Sequence, residues 1–273
     1  LVTEGSASSS LIRLMSILDI FTETRPEWSS DDMMTVLGYP RPTLYRYLKV
    51  LTDSGMLASN GHGIYTLGPK IVEMDHLLRL SDRLVGIGRP VVEGLTEQFA
   101  CTAFLVRWYR NRLLCMHSET SLEAPLSSYP RGRVMPMNRG AIARTILAHL
   151  QSRKARKIIE SFAPESPEEA RKAYISEQVS ALRMVRRNGY AIAFGEVTPG
   201  VVGVASPIFD EAAEPTGALC MTMRQEDCPR ELQALTTQAV PAAANSITVS
   251  LRQARRTGEA PSNLPIQEEA QNQ

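Results

Sequence analysis

Residues 38–57, GYPRPTLYRYLKVLTDSGML, place two different demands on one short helix. Leu44, Tyr47, Leu48 and Leu51 recur at helical spacing and require a core, while Arg41, Tyr45, Arg46 and Lys49 recur at the same spacing on another face. Gly38-Tyr39-Pro40 reads as a tight turn into this helix. Pro42 falls in its first turn, where a missing N–H costs nothing, and Gly55 ends it near Asp53 or Ser54. Few small folds need a helix with one apolar and one basic, aromatic and hydroxylic face directly after so short a turn.

The flanking residues narrow the choice. Leu11, Leu14, Ile17, Leu18 and Phe21 predict an amphipathic helix that Ser9 or Ser10 can cap, broken near Pro26. SSDDMMTVLG predicts a short helix with Ser29 or Ser30 as N-cap, Asp31 and Asp32 at the positive end of the dipole, and Gly38 as its stop. Residues 56–59 and 64–67 are strand-like, and Asn60-Gly61-His62-Gly63 between them is a hairpin signal. Helix, helix, tight turn, helix and two-stranded wing is the order of a winged helix-turn-helix; a small helical domain with an ordinary hairpin is the alternative. The face carrying Arg41, Thr43, Tyr45, Arg46 and Lys49 suits phosphates and base edges.

Charge tempers that reading. The chain's formal net charge is +1, and residues 1–68 hold five cationic side chains against seven carboxylates. Positive charge is therefore concentrated on one helix face, so a single copy should bind DNA weakly, and a dimer or tetramer presenting several such helices answers the shortfall.

Beyond the wing, Ile71, Met74, Leu77 and Leu78 form an apolar stripe on a predicted linker helix, free to pack against its own copy or onto either domain. From Cys101 the period changes. CTAFLVRWY, RLLCMHSE and EAPLSSYP read as strands; RGAIARTILAHL, SRKARKIIESFA and SPEEARKAYISEQVSALRMVRRNG as helices; YAIAFGE, GVVGVASPIFD and PTGALCMTM as strands; and the last long stretch as a helix interrupted by Pro241. Hairpin strands, then helices, then strands indicate an α+β domain with an antiparallel sheet. The expected organisation is a flexible arm over 1–8, a winged helix over 9–69, a linker helix over 70–88, the α+β domain over 89–256 and a disordered tail over 257–273.

Several classes find no support. There is no phosphate loop, nucleophile elbow, dinucleotide fingerprint or metal-ligand spacing, so no catalytic residue, metal or cofactor is assigned. The four cysteines, 101, 115, 220 and 228, read as reduced core or pocket thiols. No apolar run of about 18 residues exists and the start has no signal-like pattern, so a cytoplasmic chain without a membrane partner is expected. An enzyme or ligand-binding protein built on the second domain stays open as a rival reading.

Four stretches in order, SLIRLMSILDIF, YPRPTLYRYLKVLTDSGML with GIYTLGPKIVEM, MPMNRGAIARTILA and RRNGYAIAFGEVTPGVVGVASPIFD, resemble the IclR family of bacterial transcription regulators over roughly residues 9–256. The resemblance implies a GAF-like effector domain behind the winged helix, assembly into dimers or tetramers, and a small organic acid as effector, often from a catabolic pathway. Matched by position, it implies DNA contacts from Arg41, Pro42, Thr43, Tyr45 and Arg46, and an effector pocket from Met137, Ala141, Ile142, Ala193, Gly203, Cys220 and Thr222. Ala193 and Gly203 stand where members binding small polar acids often carry aspartate and cysteine. The pocket is therefore expected to be larger and less polar, taking an aromatic or medium-sized acid held by the amides of Gly140 and Ala141, with Met135, Met137 and Ile142 as its apolar wall.

Overall fold

The computed structural model describes residues 6–123 and 125–257, and the chain divides into two compact units between Leu80 and Ser81. The expected arm and tail fall mostly on residues 1–5 and 258–273, outside the described residues.

In the first unit, α1 (Ser6–Asp19), α2 (Ser30–Leu37) and α3 (Arg41–Asp53) surround a core of Ile17, Met33, Leu44 and Leu48, each exposed by 1% or less. Burying each stabilises the unit by about 1.5–3 kcal/mol in gross terms. Ser29 caps α2 by accepting the Asp32 amide, and Gly38 ends it in the left-handed region at φ 67°. Tyr39 and Pro40 complete the turn, and α3 starts at Arg41 with Pro42 beside it. Two expectations for α1 fail. It begins at Ser6, so Ser9 and Ser10 lie inside it, and Leu11 is exposed by 68% because α1 turns its Ile17 face inward. The wing, β2 (Leu57–Ser59) and β3 (Ile64–Leu67), gains an unexpected third strand, β1 (Trp28–Ser29), which pairs antiparallel with β3. Two residues are too few to show a strand period. What holds them is Trp28, buried and donating its indole N–H to the Ile20 carbonyl at 3.1 Å.

The linker helix expected over 70–88 ends at Ser81, and the amphipathic helix expected to start near Pro90 begins already at Arg83. α4 (Lys70–Ser81) has no buried residue; α5 (Arg83–Gln98) is capped by Asp82, which accepts the Leu84 and Val85 amides, and runs through Pro90.

The second unit is built on a six-stranded antiparallel sheet ordered β6 (Val134–Met135), β5 (Arg112–Thr120), β4 (Thr102–Tyr109), β9 (Pro215–Arg224), β8 (Val201–Phe209), β7 (Ala191–Phe194). Strand alternation sends Phe104, Val106, Ala218 and Cys220 to one face, under α6 (Ala141–His149) and α8 (Glu168–Asn188). Ala103, Leu105, Leu219 and Met221 go to the other, under α5 and α9 (Arg230–Thr257). Both faces are covered, which is why these strands read as nearly unbroken apolar runs. α7 (Ser152–Phe162) links α6 to α8. EAPLSSYP is not a strand: Pro125 and Pro130 lack donors, and the Tyr129 carbonyl accepts the Ser118 hydroxyl at 2.8 Å instead of a ladder amide. β6 takes its place beside β5.

Gly217 lies where β9 meets β4, and a Cβ there would stand 2.2 Å from the Val106 carbonyl oxygen. Gly217→Ala is expected to force the central strands apart and lower stability by about 1–3 kcal/mol in urea denaturation.

Candidate functional sites: a basic helix face and a cavity

On α3 the division seen in the sequence is realised in space. Leu44, Tyr47, Leu48 and Leu51 are buried, whereas Arg41, Pro42, Tyr45, Arg46 and Lys49 are exposed and Thr43 is half-buried. The polar side chains are partly organised by one another. The Arg41 guanidinium lies 5.3 Å from the Tyr45 ring centroid, and the Tyr45 hydroxyl meets Ser30 Oγ at 3.1 Å. That bond and the nearby Arg41 charge lower the Tyr45 phenol from its ordinary range. Lys49 faces Asp53 at 3.6 Å, an exposed pair of little strength. Arg46 lies 5.3 Å from the Tyr47 ring centroid, held against the aromatic ring as it leaves the helix.

The second unit contains a cavity of about 440 Å³, counted to its open mouth. Its floor is a cross-strand row of small side chains: Ala193 of β7 pairs with Gly203 of β8, which pairs with Thr222 of β9. The next row brings Cys220 against Phe104. Tyr129 stacks on Phe104 with centroids 4.1 Å apart, forming an aromatic wall with Met135 beyond it. The start of α6, Gly140 to Ile142, and Glu196, Val197 and Thr198 from the β7–β8 connection complete the lining.

Six of the seven pocket residues expected from the resemblance therefore meet: Ala141, Ile142, Ala193, Gly203, Cys220 and Thr222 line the cavity. Met137 does not. It is buried in the neighbouring core, and Met135, fixed by its pairing with Leu113, supplies the methionine wall. Phe104, Tyr129, Glu196 and Thr198 were not foreseen. Their membership depends on strand pairing and on the course of two loops, and no local spacing encodes either.

The expected carboxylate seat at Gly140 is also corrected. The Gly140 amide already donates to Glu196 Oε2 at 2.9 Å, and the other oxygen of Glu196 takes the Arg144 guanidinium. Glu196 thus supplies the first turn of α6 with an internal carboxylate. The remaining polar groups are mostly donors. Burial raises the Tyr129 phenol and the Cys220 thiol above their ordinary ranges, so both stay protonated near neutrality. The hydroxyls of Thr198 and Thr222 neighbour the phenol, and Ser127 Oγ donates to it at 2.9 Å. Arg139 is the one cationic side chain on the lining among the described residues.

The C-terminal model of the bacterial transcriptional regulator IclR matches residues 83–249, and the IclR helix-turn-helix domain matches residues 10–61. The chain belongs to the IclR family. It is a transcriptional regulator with an N-terminal DNA-binding and a C-terminal effector domain. The HTH-type transcriptional regulator XynR of Escherichia coli K12 is 28% identical over 216 residues, covering 78% of this chain and 85% of that protein. The crystal structure of an IclR transcriptional regulator from Silicibacter sp. TM1040 superposes with a TM-score of 0.78 at 20% identity, covering 94% of this chain and 99% of the other. An IclR homologue from Microbacterium hydrocarbonoxydans, crystallised in complex with 4-hydroxybenzoate, has a TM-score of 0.72 at 20% identity, covering 89% and 99%. The curated relatives carry transcriptional-regulator names. No helix among the described residues is long and apolar enough to cross a membrane.

Glu196→Ala removes the carboxylate that answers both Gly140 and Arg144, leaving the part-buried guanidinium with the neutral Ile192 carbonyl as acceptor. A stability loss of about 1–3 kcal/mol is expected in chemical denaturation of the full chain.

Proposed function

We propose that this regulator binds operator DNA through α3 and releases or grips it in response to an aromatic or medium-sized organic acid. The cavity carries this reading. A floor of Ala193 and Gly203 that carries little side-chain volume, walled by the Phe104–Tyr129 stack, is a surface suited to a planar ring. The complex of the Microbacterium hydrocarbonoxydans homologue with 4-hydroxybenzoate supports the same ligand class. A carboxylate meets Arg139 and the Ala141 amide, while the hydroxyls of Tyr129 and Thr198 serve a second polar end, the Thr222 proton being given to the Thr102 carbonyl. Such a ligand suits control of a catabolic operon in the cytoplasm, with no chemistry performed on it.

A thermal-shift screen of aromatic and short aliphatic acids tests the ligand class. An aromatic acid is expected to raise Tm, and Gly203→Leu to abolish the rise: a Cβ at 203 sits at ordinary contact with Thr222 Cγ2, 3.5 Å away, so the added isobutyl group fills the cavity rather than breaking the sheet. Preferential stabilisation by glyoxylate or pyruvate overturns the assignment.

On the DNA side, Arg41, Pro42, Thr43, Tyr45, Arg46 and Lys49 form the contact face. Arg41→Ala and Arg46→Ala are each expected to cost about 1–3 kcal/mol where the side chain meets a guanine edge. Where it meets phosphate, the loss is uniform across sequences and the salt slope falls by about one. Anisotropy titrations with the DNA upstream of the gene read both, and unchanged affinity in both variants defeats the reading.

The reading of dimers or tetramers is supported by α4, where Val72, Met74, Leu77 and Leu78 are exposed by 72%, 51%, 61% and 49% in the single chain. Covering each gains roughly 1.5–3 kcal/mol before the cost of association. Met74→Glu with Leu78→Glu is expected to shift sedimentation toward smaller species; a monomeric parent chain rules this out.

A further inference from the structure

A second concavity, about 400 Å³ when the open solvent at its mouth is counted, lies on the opposite face of the sheet from the effector site, among the side chains of α5 and α9. Four guanidinium groups line it: Arg83 from the first turn of α5, Arg107 from β4, and Arg252 and Arg255 from the last turns of α9. They come from three elements far apart in sequence, so no single amphipathic pattern accounts for their convergence.

Their partners are unevenly distributed. Arg107 donates to Asp82 Oδ1 at 2.5 Å, an oxygen that also accepts the Leu84 and Val85 amides. Arg252 donates through Nε to the main-chain carbonyl of Asp210 at 3.0 Å, a neutral acceptor. Among the described residues no carboxylate lies in ion-pair range of Arg83, Arg252 or Arg255. Two carboxylates do share the lining, Asp210 and Glu211. Asp210 spends Oδ1 on the Glu214 amide at 2.9 Å, and Glu211 is exposed to water. The balance is three guanidinium forks without a charged partner around a concave, partly enclosed space.

We propose that this cavity is a binding site for a small, multiply charged oxyanion of the phosphate or polycarboxylate type. A guanidinium offers parallel N–H groups that match two oxygens of one such anion, whereas a halide uses only the charge. Several arginines converging on one anion add geometric selectivity to attraction, and Thr216 on the same lining adds a hydroxyl. The site does not depend on the aromatic-acid reading: its residues and those of the effector cavity do not overlap. It does touch the start of the unit, because Arg107 is shared between the lining and Asp82, the cap of α5. An occupant drawing on Arg107 therefore bears on the helix that follows the division between the two units.

Isothermal titration of the full chain with inorganic pyrophosphate, at fixed ionic strength in chloride, tests the proposal. Saturable binding is expected, with affinity reduced at least tenfold (~1.4 kcal/mol) in the double variant Arg83→Gln/Arg255→Gln. Both side chains reach solvent, so this variant is expected to keep the Tm of the parent in chloride. Arg107 is left intact because it also holds Asp82. A control, Arg153→Gln/Lys157→Gln on the exposed face of α7, is expected to bind as the parent does. Absence of saturable heat in the parent, equal affinity in parent and Arg83/Arg255 variant, or an equal loss in the control each overturns the site.

Discussion

The pairing of β4 with β9 at the centre of the six-stranded sheet is the constraint on which the effector domain depends. These two strands have neighbours on both sides and helices on both faces, so each consecutive residue serves a different core. Phe104 and Cys220 face α6, and Leu105 and Leu219 face α5 and α9. A slip of one residue would exchange these sets and move Phe104 and Thr222 out of the effector cavity together. Gly217 enforces the register sterically, since nothing larger than hydrogen fits against the Val106 carbonyl.

The cavity exists because close packing fails locally in a controlled way. Sheet and helix elsewhere are filled by Leu, Ile and Met, but the row of Ala193, Gly203 and Thr222 removes side-chain volume beneath the first turn of α6. The space does not collapse, because its borders are held from outside. Phe104 and Tyr129 brace each other, and Glu196 ties the β7–β8 connection to Gly140 and Arg144. A rigid border around a small-residue floor gives a preformed site, which lowers the ordering cost of binding a ligand.

In the DNA-binding unit the order of elements was legible because each boundary has local chemistry: the Ser29 cap, the left-handed Gly38, the prolines at 40 and 42, the glycines of the hairpin. The misses share one cause. β1 exists only through its partner β3; Leu11 is exposed although it fits an apolar period; α4 and α5 part at Asp82 because that carboxylate is buried against Arg107, which lies 25 positions further along the chain. EAPLSSYP looked like a strand, but its prolines leave the edge of the sheet to β6.

By itself the sequence determined what short-range physics encodes: the two-faced α3, the hairpin wing, the succession of strands and helices, and the small residues at 193 and 203. A resemblance carried by four ordered stretches added the family. Tertiary structure decided how the pocket residues named by the resemblance are joined and by which others. Strand alternation and cross-strand register bring Phe104 beside residues 193, 203, 220 and 222, and exclude Met137 while keeping Met135. It also decided that Glu196 already answers the Gly140 amide, and that four distant arginines surround one cavity. The physical reason is the same in each case. Helix periods and caps act over three or four residues, whereas pockets and charge clusters arise from non-local pairings whose register is fixed only when both faces of the sheet are buried.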